Sequence, residues 1–138
     1  MSTIRSKTDS IQEYFHRQYE LEEGSAEENI NALFSEDVAY HLGEGKTVSR
    51  ESLARSAAMI RQTPKSERIT AVSNFNEDGD LVTFHMHVRF RNPETGALDE
   101  MESDHVWRFN GEDKVAEVRM NQGEEAERIF RLNKAGQR

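Results

Sequence analysis

Between Leu81 and Met120 apolar and polar residues alternate with a period of two, and that period commits the segment to strands. Val82, Phe84, Met86, Val88 and Phe90 fall on one side; Thr83, His85, His87 and Arg89 fall on the other. Met101, Ser103, His105, Trp107 and Phe109 repeat the pattern, opposed by Glu100, Glu102, Asp104 and Arg108. Asn110-Gly111 tolerates positive φ and predicts a tight hairpin into a last strand from Lys114 to about Gln122. Strands with one apolar face need a second layer to bury it.

The residues before the strands supply that layer. Ser10 and Glu13 have capping-box spacing and predict a helix from about Asp9, with Ile11, Tyr14, Phe15, Gln18 and Leu21 or Glu22 turned inward. Gly24 stops it. Ser25 and Glu28 form a second capping box ahead of Ile30, Leu33 and Phe34. Asp37–Leu42 reads as a short strand with Val38, Tyr40 and Leu42 on one side, ended by Gly43 and Gly45. Ser49 caps a third helix, whose buried stripe is Leu53, Ala57, Met59 and Ile60, and Pro64 ends it. Ile69, Ala71, Ser73 and Phe75 form the inward side of a further strand, up to a turn at Asn76–Gly79. A short acidic helix after Gly123 is expected to dock Ala126, Ile129 and Phe130. The reading is α+β: helices over one face of a curled, mostly antiparallel sheet, in one domain over 9–133 between flexible ends at 1–8 and 134–138.

Charge and composition narrow the function. Acidic residues outnumber basic ones 26 to 18, for a net charge of −8, and the cations are scattered beside acids. Such a surface repels a phosphate backbone, so nucleic acid is not an expected partner. Cysteine is absent, which excludes thiolate nucleophiles and cysteine-ligated metals. No apolar run approaches the roughly 20 residues of a membrane span, and no signal segment opens the chain, so no membrane association and a cytoplasmic location are expected. His85-Met86-His87 has chelating spacing, but no glutamate follows at four or five residues, and the metal expectation is none.

His105 is the chief chemical lead, a single imidazole on the apolar side of its strand. Such a group titrates near neutral pH and serves as a general acid or base, against the alternative of a structural, hydrogen-bonded core histidine. Tyr40 is the second candidate, to polarise a carbonyl or hold a water. Tyr14 and Gln18, one helical turn apart, offer polar contacts from the opposite wall.

Ala32-Leu33-Phe34-Ser35-Glu36-Asp37-Val38 resembles the entry to the first strand of the nuclear transport factor 2-like superfamily. Asp104-His105-Val106-Trp107-Arg108-Phe109-Asn110-Gly111, followed by Lys114–Arg119, resembles its penultimate hairpin. That superfamily includes ketosteroid isomerase, scytalone dehydratase and SnoaL-like polyketide cyclases. The resemblance, over roughly residues 10–122, implies a cone whose open end receives a mostly apolar ligand, and a homodimer through the outer sheet face. The pocket would then be lined by Leu42, Met59, Phe84 and Met86, together with Met101, Ser103, Trp107, Val118 and Met120, with Gln122 at the rim. Matched to ketosteroid isomerase, His105 stands where that enzyme has its protonated aspartate and Leu42 where it has its general base. The implied activity is a cofactor-free isomerase, dehydratase or cyclase acting on a small apolar or polycyclic carbonyl compound. In it His105 is acid/base, Tyr40 polarises, and Tyr14 and Gln18 position the substrate. The alternative is a non-catalytic ligand-binding or protein-interaction module on the same fold.

Overall fold

The computed structural model describes residues 6–43 and 46–121, apart from the side chains of Leu42 and Lys46. The expectations for Leu42 in the pocket, Gln122 at the rim, the helix carrying Ala126, Ile129 and Phe130, and the C-terminal tail lie outside that description. Helix α1, Lys7–Phe15, runs into a wider π turn at His16–Glu20. It is followed by α2 (Ala26–Leu33), β1 (Phe34–Gly43), β2 (Lys46–Val48) and α3 (Arg50–Gln62). Four strands complete it: β3 (Ile69–Asp78), β4 (Leu81–Arg91), β5 (Leu98–Phe109) and β6 (Val115–Met120).

The sheet has six strands in the order β2-β1-β6-β5-β4-β3. Among the described strands only β1 and β6 pair in parallel, with Tyr40 opposite Val118. The sheet is curled but not closed, and β2 and β3 are its edges. The helices cover its concave face, so the α+β arrangement is as the alternation required. The buried faces of β4 and β5 match the sequence position by position, from Val82 to Phe90 and from Ser103 to Phe109.

Four local expectations need correction. Helix α1 starts at Lys7, because the Ser6 hydroxyl accepts the Asp9 amide at 3.0 Å, whereas Ser10 bonds back to the Ser6 carbonyl. The inward side of β3 is Thr70, Val72 and Phe75, not Ile69, Ala71 and Ser73. A bulge between Ser73 and Asn76, with Asn74 at φ 58°, shifts the parity before Phe75 stacks on Phe84. The β5–β6 connection is wider than a two-residue turn. Asn110 N–H donates to the Lys114 carbonyl at 2.8 Å, and Asp113, not Gly111, takes positive φ, at 60°. Strand β1 begins at Phe34, and the short β2 hairpin was not anticipated. The Ser25–Glu28 capping box and the Ser49 cap are present as read.

The candidate pocket and its surroundings

A cavity of about 100 Å³ lies between the helices and the sheet. Phe15, Ile30, Phe34, Leu53, Ala57 and Phe90 supply most of its apolar wall. Across β3, β4 and β5, Thr70, Val88 and Met101 form one cross-strand row on its floor. Thr70, Met101 and Ile60 are the half-exposed lining residues, so the end of the cavity between α3, β3 and β5 is the one nearest solvent.

Three phenols, Tyr14, Tyr19 and Tyr40, also line the cavity. Tyr14 and Tyr19 pack edge to face with ring centroids 6.2 Å apart; Tyr19 feels the charges that Tyr14 and Tyr40 would carry on ionising, and Tyr40 feels that of Tyr14. Burial pushes all three hydroxyls above their ordinary value. At neutral pH they are neutral donors and acceptors, not bases.

Tyr19 reaches this cluster because of the π turn. Leu21 N–H bonds to the His16 carbonyl at 2.9 Å, one residue further back than in an α-helix, and this carries Tyr19 inward while leaving Leu21 54% exposed. The turn is tied down by cations. Arg68, its guanidinium buried, donates to the Tyr19 carbonyl and to those of Arg61 and Thr63 at 3.2 and 3.3 Å. Arg61 holds the Glu22 and Gly24 carbonyls at 2.9 and 3.0 Å. The helical period placed Tyr14 but had no means to show an inserted residue. Ser56, three residues after Leu53 on α3, was the legible signal missed.

Of the residues singled out in the sequence, Tyr14, Tyr40, Met59, Met86, Met101 and Trp107 line the cavity. Gln18 lies behind Tyr14, wholly buried, and spends its amide on the protein. Val118 is core between Trp107 and Tyr40, and Phe84 stacks between Phe75 and His105. Ser103, His105 and Met120 sit beside the cavity, behind its Trp107 wall.

His105 is buried and both its nitrogens are occupied. The Trp107 indole N–H donates to Nδ1 at 3.0 Å, and an indole can only donate, so Nδ1 carries no proton. The proton is on Nε2, which donates to the Ser103 hydroxyl at 2.8 Å. Desolvation pushes the imidazole down to about 4, so it is neutral at neutral pH.

On the outer sheet face, His85 Nδ1 meets Asp104 and Nε2 meets Glu102, both at 3.0 Å, and His87 pairs with Glu100. These contacts follow from the antiparallel register, which sets His85 opposite Asp104 and His87 opposite Glu102. Among the described residues no three such side chains converge on a metal position. Nor is any described helix long and apolar enough to cross a membrane.

The architecture is that of the SnoaL-like domains, and the chain belongs to that family, which it matches over residues 8–118. Among solved structures it is similar to an uncharacterized cystatin-fold protein from Novosphingobium aromaticivorans. That pair is 13% identical, covers 85% of this chain and 98% of that one, and has a TM-score of 0.65. A protein named for its likeness to SnoaL-type polyketide cyclases, from Jannaschia sp. CCS1, is 14% identical over 86% and 90% of the two chains, with a TM-score of 0.63. An NTF2-like protein of unknown function from Cytophaga hutchinsonii is 11% identical over 87% and 92%, with a TM-score of 0.62. These identities speak to the fold alone. No protein with a curated description matches the chain.

Proposed function

We propose that this SnoaL-like domain binds one small, largely apolar molecule, seated in the cavity with a single polar group toward Tyr14, Tyr19 and Tyr40. The observation that carries the reading is an aromatic and aliphatic wall that also contains three phenols, Tyr14, Tyr19 and Tyr40. That is the usual composition of a ligand pocket, apolar with a few placed polar groups. At about 100 Å³ the cavity is smaller than the roughly 300–1,000 Å³ of drug-sized sites, which favours a single ring or short chain over a polycyclic compound. Trp107 is the chain's one tryptophan and stands on the wall. Its fluorescence should respond to single-ring ketones and phenols. A complete lack of response, with no density in the cavity of soaked crystals, would sink the proposal.

Proton transfer by His105, with Tyr40 polarising a carbonyl, is the second reading. It is favoured by the position of a neutral imidazole immediately behind the cavity wall. It requires the Trp107 indole to leave Nδ1. Gln in place of His105 can still accept from Trp107 and donate to Ser103, but cannot relay a proton at neutral pH. His105→Gln should therefore lose turnover by about 10²–10⁴ if the imidazole is an acid/base, and retain it if the imidazole is structural.

A second copy of the chain is the proposed occupant of the outer sheet face. Glu100, Glu102 and Asp104 lie toward one end of that face, exposed Val106 stands opposite Arg119 in its middle, and Arg108 lies beyond them opposite Glu117, which pairs with both arginines. A two-fold axis near Val106 would bring the two exposed valines together and set the acidic end of each copy against the Arg108–Glu117 side of the other. Sedimentation equilibrium at low and high salt tests this: dimers that weaken with salt support it, and a monomer at every salt concentration removes it.

A further inference from the structure

The amide of Gln18 is oriented from three sides. Arg61 can only donate, and its Nη1 lies 3.1 Å from Gln18 Oε1. Asn29 Nδ2 donates to the same oxygen at 3.1 Å, and its own orientation is held by the carbonyls of Glu23 at 2.7 Å and Ser25 at 3.2 Å. Nε2 is therefore the end that meets the Ala26 carbonyl at 3.1 Å and the Tyr14 hydroxyl oxygen at 3.4 Å. An amide nitrogen only donates, so the Tyr14 oxygen accepts from Gln18 and cannot send its own proton back along that line.

Tyr14 and Tyr19 hold two hydroxyl protons, and at most one of them can be used between the two rings. Gln18 takes neither. The remaining O–H belongs to one of two rings that both line the cavity. With an acceptor at position 18, the Tyr14 proton would be drawn out of the cavity instead.

We infer that Gln18 is a positioning residue that sets the hydrogen-bond polarity of the pocket. The cavity then presents a donor and selects small apolar molecules bearing an acceptor, a ketone or aldehyde carbonyl, over molecules of the same shape without one. The inference rests on the reading of the cavity as a ligand site.

The test compares cyclohexanone with methylenecyclohexane, which exchanges C=O for C=CH2, on the full chain by Trp107 fluorescence. Cyclohexanone should bind about 5–10-fold more tightly, the worth of one neutral hydrogen bond, and its carbonyl stretch should move to lower wavenumber when bound. Gln18→Glu replaces the buried donor with an acceptor beside Arg61. It should reduce the preference for cyclohexanone. Equal affinity of the wild-type chain for both probes overturns the inference and leaves the ligand site standing. A folded Gln18→Glu variant with the preference intact overturns the role of Gln18. If that variant does not fold, the wild-type carbonyl stretch decides: a shift supports the donor, and an unshifted stretch overturns it. Failure of both probes to perturb Trp107 overturns the ligand-site reading and this inference with it.

Discussion

The indole of Trp107 and the imidazole of His105, two residues apart on β5 and turned to the same face, are joined by a 3.0 Å hydrogen bond that fixes the tautomer of the histidine. One strand thus supplies a buried base together with the group that blocks one of its nitrogens, and Ser103 on the same face takes the other. The consequence is a histidine whose charged form has nowhere to put its second proton.

His105 should therefore make stability fall on acidification. Its ordinary value is 6.5 and its folded value about 4, so between those pH values the unfolded chain binds a proton that the folded chain refuses. The stability is fully present above about 6.5 and is lost progressively down to about 4, by up to about 3 kcal/mol. Urea unfolding at pH 7.5 and 4.5 measures it. His105→Gln should lack this component. The difference between the two chains also removes the opposite contribution of His85, whose value its acidic partners raise.

Arg68 should be the costliest single cation to remove. Its buried guanidinium satisfies carbonyls at the end of α3 and at the π turn, and Met in its place leaves several of them without a donor. Arg68→Met is expected to lower stability by about 3–5 kcal/mol, read from the urea midpoint. Ligand affinity should fall with it, because Tyr19 is held by the same contact.

Asn74 sits at φ 58° in the β3 bulge, a conformation glycine adopts freely and β-branched residues resist. Asn74→Gly should leave the melting temperature unchanged or slightly higher. Asn74→Val should cost about 1–2 kcal/mol.

His85 should titrate above the ordinary histidine range, since Asp104 and Glu102 stabilise its charged form. Asp104→Asn is expected to lower its pKa, followed by NMR of the ring protons. An unchanged titration would mean that the pair does not form in solution.

What could be read from residues alone divides along physical lines. The faces of β4 and β5 were legible because an uninterrupted two-residue period admits one solution once one side is apolar. The caps at Ser25 and Ser49 were legible because capping is chemistry local to a few residues. The π turn was not: it is stabilised by Arg61, Arg68 and Lys65, cations that lie far along the chain from the carbonyls they hold. Tyr19 was missed for that reason, and Gln18 was expected to face a ligand when its amide serves Tyr14, Asn29, Arg61 and Ala26 instead. The β3 parity failed at one residue, Asn74, because alternation carries no mark for an inserted position. Inward direction at His105 followed from parity, whereas the closure of both its nitrogens depends on side-chain torsions that parity does not encode.

The parallel pairing of β1 with β6 has a consequence for how the chain is made. During synthesis Phe34 and Tyr40 emerge early, and their partners Val115 and Val118 emerge near the end of the described chain. Until β6 arrives, β1 has only the short β2 beside it, and β5 lacks the neighbour that lies against Trp107. Contacts so distant in sequence form late and slowly. On the ribosome the N-terminal helices and β1 would wait with apolar surface uncovered until β6, the last of the described strands, brought the sheet together.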